Sequence, residues 1–204
     1  DSNEDDRYLQ PAAFMVVDTA QQMLIDQYRL HKRTGGQQGI EQRTGLNVVT
    51  ENDQPKVIEE EIPKAVLAAI ASRDEYIQRV PPTNDLTTKD TQTGAEQKNS
   101  EFYAYQSAEF FFLYGHFKEA QRRLEPIYAE QCGKSPFGYF AWEKLTTMAN
   151  LMNDIPRSRA LAEAAQVKSC AIGEEQKLKE KSISQPTISR GYYIDAAAKF
   201  EKAE

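Results

Sequence analysis

Histidine, cysteine and tryptophan are scarce in this chain of 204 residues, which carries two, two and one of them. That scarcity removes most of the side chains that do chemistry. His31 and His116 stand far apart in sequence, and His116 falls in a turn, where a surface imidazole is the plain reading. No HExxH, CxxC or GxSxG signature occurs. The run Gly35-Gly36-Gln37-Gln38-Gly39 lacks the Lys-Ser/Thr that must follow in a phosphate loop. Glu59-Glu60-Glu61 reads as acidic charge at a helix start, where the helix dipole favours it, rather than as a metal site. We expect no catalytic residue, no metal, no cofactor and no enzyme activity.

Basic charge is also short: 25 Lys and Arg against 31 Asp and Glu leave a net charge of −6. A nucleic-acid surface needs clustered Lys and Arg, and here the short basic pieces (29–33 and 177–181) are diluted by their neighbours. No apolar run approaches the roughly 18 residues that a membrane span requires. The partners left are proteins or peptides, with no nucleic acid and no membrane span.

What the chain does have is helical periodicity. After an acidic leader, Phe14, Val17, Gln21, Leu24 and Tyr28 fall at helical spacing, with Met15, Ala20 and Met23 widening the apolar face. They predict a helix over 11–33, with Pro11 in the first turn and Gly35-Gly36 ending it. Residues 34–60 read as a long polar loop with one apolar island at Leu46, Val48 and Val49. A second helix is predicted at 62–79, stopped by Pro81-Pro82 and followed by a polar linker over 83–99. Helices follow at 100–114, 117–131, 137–152, 155–170 and, after a charged stretch, 190–203. The fold class is all-α: an N-terminal region (1–99) of two helices and polar linkers, then helical hairpins over 100–204. Both linkers should be cut early by proteases.

Two segments repeat. Gly115-His116-Phe117-Lys118-Glu119-Ala120 and Gly191-Tyr192-Tyr193-Ile194-Asp195-Ala196 share a Gly, an aromatic, an acid and an Ala in register. Their separation of 76 residues (191 − 115) equals two units of 38, a period typical of helical-hairpin solenoids. The pattern resembles the tetratricopeptide repeat. Ala108 and Phe111 match that family's first helix; Phe117, Glu119, Ala120, Leu124 and Ile127 match its second, as do Tyr193, Asp195, Ala196, Phe200 and Ala203. Ala104 and Ser107 replace the family's Trp and Leu. The hairpin with Trp142, Leu145, Ala149, Ala160, Ala164 and Val167 matches with its register slipped by about two residues.

The resemblance implies a curved array that binds proteins. In such arrays one face of the first helix lines a concave groove, and here Phe102, Tyr105, Glu109 and Phe112 share that face. They are the candidate partner-binding residues, unless the N-terminal helices cover them as core. They do not form the Lys/Asn clamp by which chaperone adaptors hold C-terminal carboxylates. Cys132 and Cys170 lie one repeat apart (170 − 132 = 38), each just past the end of a predicted helix. They are either two reduced thiols or a disulfide, and a disulfide places the protein in an oxidising, periplasmic or otherwise extracytoplasmic compartment.

Together these features point to a scaffold or adaptor subunit of a multiprotein assembly. With the disulfide, the setting is a bacterial cell-envelope machine of the secretion, outer-membrane or gliding-motility type; the aromatic hairpins and paired cysteines resemble periplasmic proteins of gliding complexes. With reduced thiols, the reading is a cytosolic peptide-binding tetratricopeptide adaptor or co-chaperone. The 190–203 helix is amphipathic rather than polar like a cap, which predicts further hairpins beyond Glu204 or self-association through that helix.

Overall fold

A computed structural model describes residues 6–89, 96–167 and Cys170. Six helices dominate it: α1 (Asp6–Arg33), α2 (Lys64–Arg79), α3 (Asn99–Leu113), α4 (Phe117–Gln131), α5 (Pro136–Leu151) and α6 (Ile155–Val167). Two small ladders accompany them, β1 (Val48–Glu51) with β2 (Gln54–Val57), and β3 (Thr87–Lys89) with β4 (Glu96–Lys98). The protein is all-α in character, and the predicted 190–203 helix lies outside the described residues.

The chain forms two compact units, the first from residues 1–47, 58–88 and 98–120, the second from 48–57, 89–97 and 121–204. In the first, α1 packs on α2 and α2 on α3. Leu24, Ile62, Val66, Ala69, Ile70 and Tyr114 form one buried cluster; Val17, Tyr76, Val80 and Tyr103 form another. Tyr76 and Tyr103 meet edge to face, their ring centres 5.0 Å apart, the arrangement that aromatic quadrupoles favour. α3 thus packs with the N-terminal helices, whereas the sequence pattern groups it with the hairpins that follow.

α1 begins five residues before the expected start. Pro11 therefore lies inside the helix rather than at its first position. Its missing N–H removes the single rung to residue 7, close enough to the helix start that the remaining ladder is intact.

Residues 34–60 are not the open loop that their polarity suggests. Ile40 N–H donates to the Gln27 carbonyl (3.2 Å), and a Cβ on Gly39 would lie 2.4 Å from that same oxygen, so only glycine lets the chain double back on α1. Farther on, Asn52 and Asp53 both take positive φ (51° and 60°), and this two-residue primed turn joins β1 to β2 with Glu51 opposite Gln54. The hairpin packs on α5 in the second unit. Glu60 binds Arg43 and Asn47 through its carboxylate. Glu60 thus ties down this segment, and the acids at 59–61 are not the first turn of α2, which starts after Pro63 without an acidic residue in its first turn.

Two of the helix-to-helix turns share one geometry. After α3, Gly115 (φ 79°) donates to Phe112 O (3.0 Å) and His116 N–H reaches back to Phe111 O (2.9 Å). After α5, Asn153 (φ 54°) donates to Asn150 O (3.1 Å) and Asp154 N–H to Ala149 O (2.8 Å). Both are left-handed helix stops that satisfy the last carbonyls, and they lie 38 residues apart (153 − 115). Asp154 then caps α6 by accepting the Arg157 N–H at 3.1 Å.

In the second unit α5 packs on α6, and the indole Nε1 of buried Trp142 donates to Leu161 O at 3.0 Å. The residues that α6 buries are not all those that the spacing suggests. Ala160 is exposed, whereas Ser158, Leu161 and Ala165 are buried. Ser158 follows buried Ala120 by 38 residues (158 − 120), and Trp142 follows Ala104 by the same step (142 − 104). Ser158 is a small buried residue as Ala120 is, and a search for alanines passes over it. Its hydroxyl is satisfied by Asn150 Oδ1 at 2.7 Å.

Cys132 and Cys170 form a disulfide, with their Cα atoms 4.4 Å apart and both residues buried. It encloses α5 and α6 in one covalent loop.

Candidate interaction surface

α1 is apolar on two sides. Val17 and Leu24, with Ala13 and Tyr28, enter the first unit's core. On the roughly opposite face stand Tyr8, Met15, Val16 and Met23, which are 74%, 68%, 49% and 63% exposed. Exposed Ala12 and Thr19 complete a continuous stripe. From Tyr8 to Met23 it runs roughly 22 Å along the helix at 1.5 Å per residue. Met15 and Met23, which helical spacing alone adds to the core face, thus face solvent. The reason is geometric: apolar residues on two faces of one helix exceed the single stripe that one neighbouring layer can bury.

Beside the stripe, between α1 and α2, lies a cleft of about 110 Å³. Leu9, Ala13 and Val16 line one side, Ser72 and Tyr76 the other. Glu75 and Arg79, paired at 2.9 Å, add a charged wall that is more than 40% exposed at both side chains. Contiguous exposed apolar surface of this kind, flanked by charge, marks sites where proteins meet proteins, and methionine suits it because its unbranched thioether adapts to a partner's shape.

A buried arginine on α2 ties α1, α2 and α3 together. Arg73, only 1% exposed, donates from Nε to Gln106 Oε1 on α3 (3.0 Å), from Nη1 to Ala69 O (2.6 Å), and from Nη2 to Gln21 Oε1 on α1. Its guanidinium also stands 5.5 Å over the Phe110 ring. Burial lowers its pKa from the ordinary value, against the opposing pull of Tyr103, Tyr28 and Asp74. One planar fork thereby links three helices, which a lysine could not do. Burial also pushes the hydroxyls of Tyr28 and Tyr103 up to about 12.

At the far end, Asp85 organises the entry to α3. Its carboxylate accepts from the Tyr76 hydroxyl (3.0 Å), the Ser100 hydroxyl (2.6 Å) and the Ser100 N–H (3.3 Å). Lys98, at the cap position, makes no side-chain cap bond, so Asp85 supplies the acceptor from the preceding loop.

The four groove candidates on α3 divide. Phe102 is 39% exposed, and its ring centre lies 5.8 Å from that of Tyr103. Tyr105 is buried and its hydroxyl donates to Glu109 Oε1 at 3.0 Å. Phe112 is buried and stacks on Phe117, centres 5.7 Å apart and planes 15° apart. The structure brings Tyr105 to Glu109, but it does not present all four as one solvent-facing surface.

His116, read as a surface histidine from its turn position, is instead a tie. Its Nε2 lies 2.8 Å from the Glu60 carbonyl oxygen, which can only accept, and its Nδ1 lies 3.4 Å from Glu59 Oε1. Among the described residues no three His, Cys, Asp or Glu side chains are grouped to hold a metal ion. No helix among the described residues is long and apolar enough to cross a membrane.

Sequence reasoning missed Tyr8, Val16 and the outward role of Met15 and Met23. The signal was present: Tyr8, Ala12, Met15, Thr19 and Met23 repeat at intervals of 4, 3, 4 and 4 residues, a second helical stripe alongside the one through Val17 and Leu24. Comparison with protein-family models, with curated proteins and with solved structures finds no match for this chain.

Proposed function

We propose that this chain is a scaffold or adaptor subunit that binds other proteins, and that the exposed face of α1 with the adjoining cleft is a docking surface. The observation that carries this reading is the unbroken stripe Tyr8–Met15–Val16–Met23, solvent-facing on a helix whose other side is fully used in the core. A helix gains nothing for its own fold by exposing such residues, and burying them against a partner removes apolar surface from water at about 25 cal/mol per Å².

The finer reading is a tetratricopeptide-like array in an oxidising compartment, in a bacterial cell-envelope assembly of the secretion, outer-membrane or gliding type. Two features support it. The helix stops at Gly115 and Asn153 and the small buried residues Ala120 and Ser158 recur at 38 residues, the period of a helical-hairpin repeat. The Cys132–Cys170 disulfide suits a compartment where thiols are not kept reduced.

The test is affinity capture by the full chain from an envelope extract, with the wild type and a Met15→Glu/Met23→Glu variant compared by quantitative mass spectrometry. A partner retained by the wild type and lost by the folded variant supports the proposal. Equal capture by both overturns the assignment of the surface.

A further inference from the structure

The α1 stripe has a symmetry that says what can cover it. Taken about the midpoint between residues 15 and 16, it maps onto itself: Tyr8 falls opposite Met23, Ala12 opposite Thr19, and Met15 opposite Val16. All six of these residues are exposed. Large side chains fall opposite large ones, and the small pair Ala12 and Thr19 lets two backbones approach. Two-fold association requires this property, because residue i of one copy must meet j of the other while j meets i. From Tyr8 to Thr19 the 4-3-4 spacing is also that of a coiled-coil seam, so two such helices can stay in contact over that span.

Charge sets the direction. In sequence, the residues that lead into and open this helix are acidic on balance (Asp1, Glu4, Asp5 and Asp6 against Arg7), while its end is basic on balance (Arg29, Lys32 and Arg33 against Asp26). An antiparallel pair sets acidic ends against basic ends and opposes the two helix dipoles; a parallel pair sets like charges together.

We infer that the occupant of this surface is a second copy of the same chain, docked antiparallel so that α1 lies on α1 with residue 8 facing residue 23. The inference rests on the reading of this face as an interaction surface and adds the identity of the partner. The cleft beside Val16 then receives side chains from the facing helix, at the level where residues 15–22 of the second copy pass.

Sedimentation velocity of the full chain over a range of concentrations, together with photo-cross-linking, tests this. The expected result is a reversible dimer whose dissociation constant rises about thirtyfold in Met15→Glu, a change of hot-spot size. Thr19→Arg on the same face should act alike, and circular dichroism should show helix content unchanged in both. A photoreactive benzoylphenylalanine in place of Met23 should cross-link to residues 8–12 of another copy. A monomer at all concentrations, a dimer indifferent to both substitutions, or cross-links from 23 to the region of 23 would each overturn the antiparallel pairing. If the chain is monomeric and the probe at 23 captures a different polypeptide in extract, the second copy is excluded while the docking surface stands. If it captures nothing, both fail.

Discussion

The carbonyl oxygen of Ile58 lies 2.6 Å from the point where a Cβ on Gly115 would sit, so the turn after α3 closes against the chain entering α2 with no room for a side chain. Glu60 N–H donates to Tyr114 O (2.9 Å) across the same contact, so the approach is held by a hydrogen bond. Asn153 holds the matching position after α5 at φ 54°.

The two turns should therefore respond differently to alanine. Asn153→Ala loses only the local tolerance of left-handed backbone and should cost about 1 kcal/mol. Gly115→Ala adds a clash with backbone to the same strain and should cost about 3 kcal/mol. Urea unfolding of both variants checks the ordering, and equal costs would mean that the Ile58 contact is not maintained in solution.

Arg73 provides a second test. Arg73→Ala removes the donor from the half-buried Gln21 and Gln106 amides and leaves a cavity between three helices, and should lower stability by about 3 kcal/mol. Arg73→Lys should recover little of that, because an ammonium cannot donate to three separated acceptors in one plane. A lysine variant with wild-type stability would show that charge, not the fork, is what α1 and α3 require.

Alkaline pH should unfold the first unit. Tyr28 and Tyr103 ionise at about 12 in the folded chain against an ordinary value of 10.0. Groups with raised pKa contribute stability that is complete below the unfolded value and lost as pH rises through the folded one. Stability should thus be flat below about pH 9, then fall between 10 and 12 as tyrosinate forms. Tyr28→Phe should flatten that fall, read as the thermal midpoint against pH.

Reduction of the Cys132–Cys170 disulfide should lower the thermal midpoint. Closing a loop of 38 residues is worth about 4 kcal/mol in the chain-entropy account. A double Cys→Ser variant should melt low with or without reductant. Two alkyl groups added under denaturing, non-reducing conditions, on protein recovered from an oxidising compartment, would contradict both the bridge and the proposed location.

Helix existence and most boundaries were legible because the 3.6-residue period is strong; α4 falls where periodicity and flanking glycines put it. Three features were not legible, each for a physical reason. The β1–β2 hairpin is short, with the turn pair Asn52-Asp53 instead of Asn-Gly, and its valines Val48, Val49 and Val57 do not alternate with polar residues. Gln21 looks like one position of an apolar stripe, but its use is to accept from Arg73, 52 residues away, which no local pattern contains. On α1, composition shows many apolar residues but not which of two stripes a neighbour covers. That choice depends on where α2 docks, so Met15 and Met23 could be assigned outward only once the core was known. The cysteine pair, by contrast, was legible as one of two readings, because Cys132 and Cys170 each stand just past a helix end.

Whether the outward face of α1 is a protein-binding surface is decided by site-specific photo-cross-linking at Met15 in the full chain. With the probe at Met15 and a control probe at exposed Lys118 on α4, irradiation in the protein's own cellular extract should give a polypeptide adduct at 15 and little at 118. Adduct at 15 no stronger than at 118 would contradict the claim.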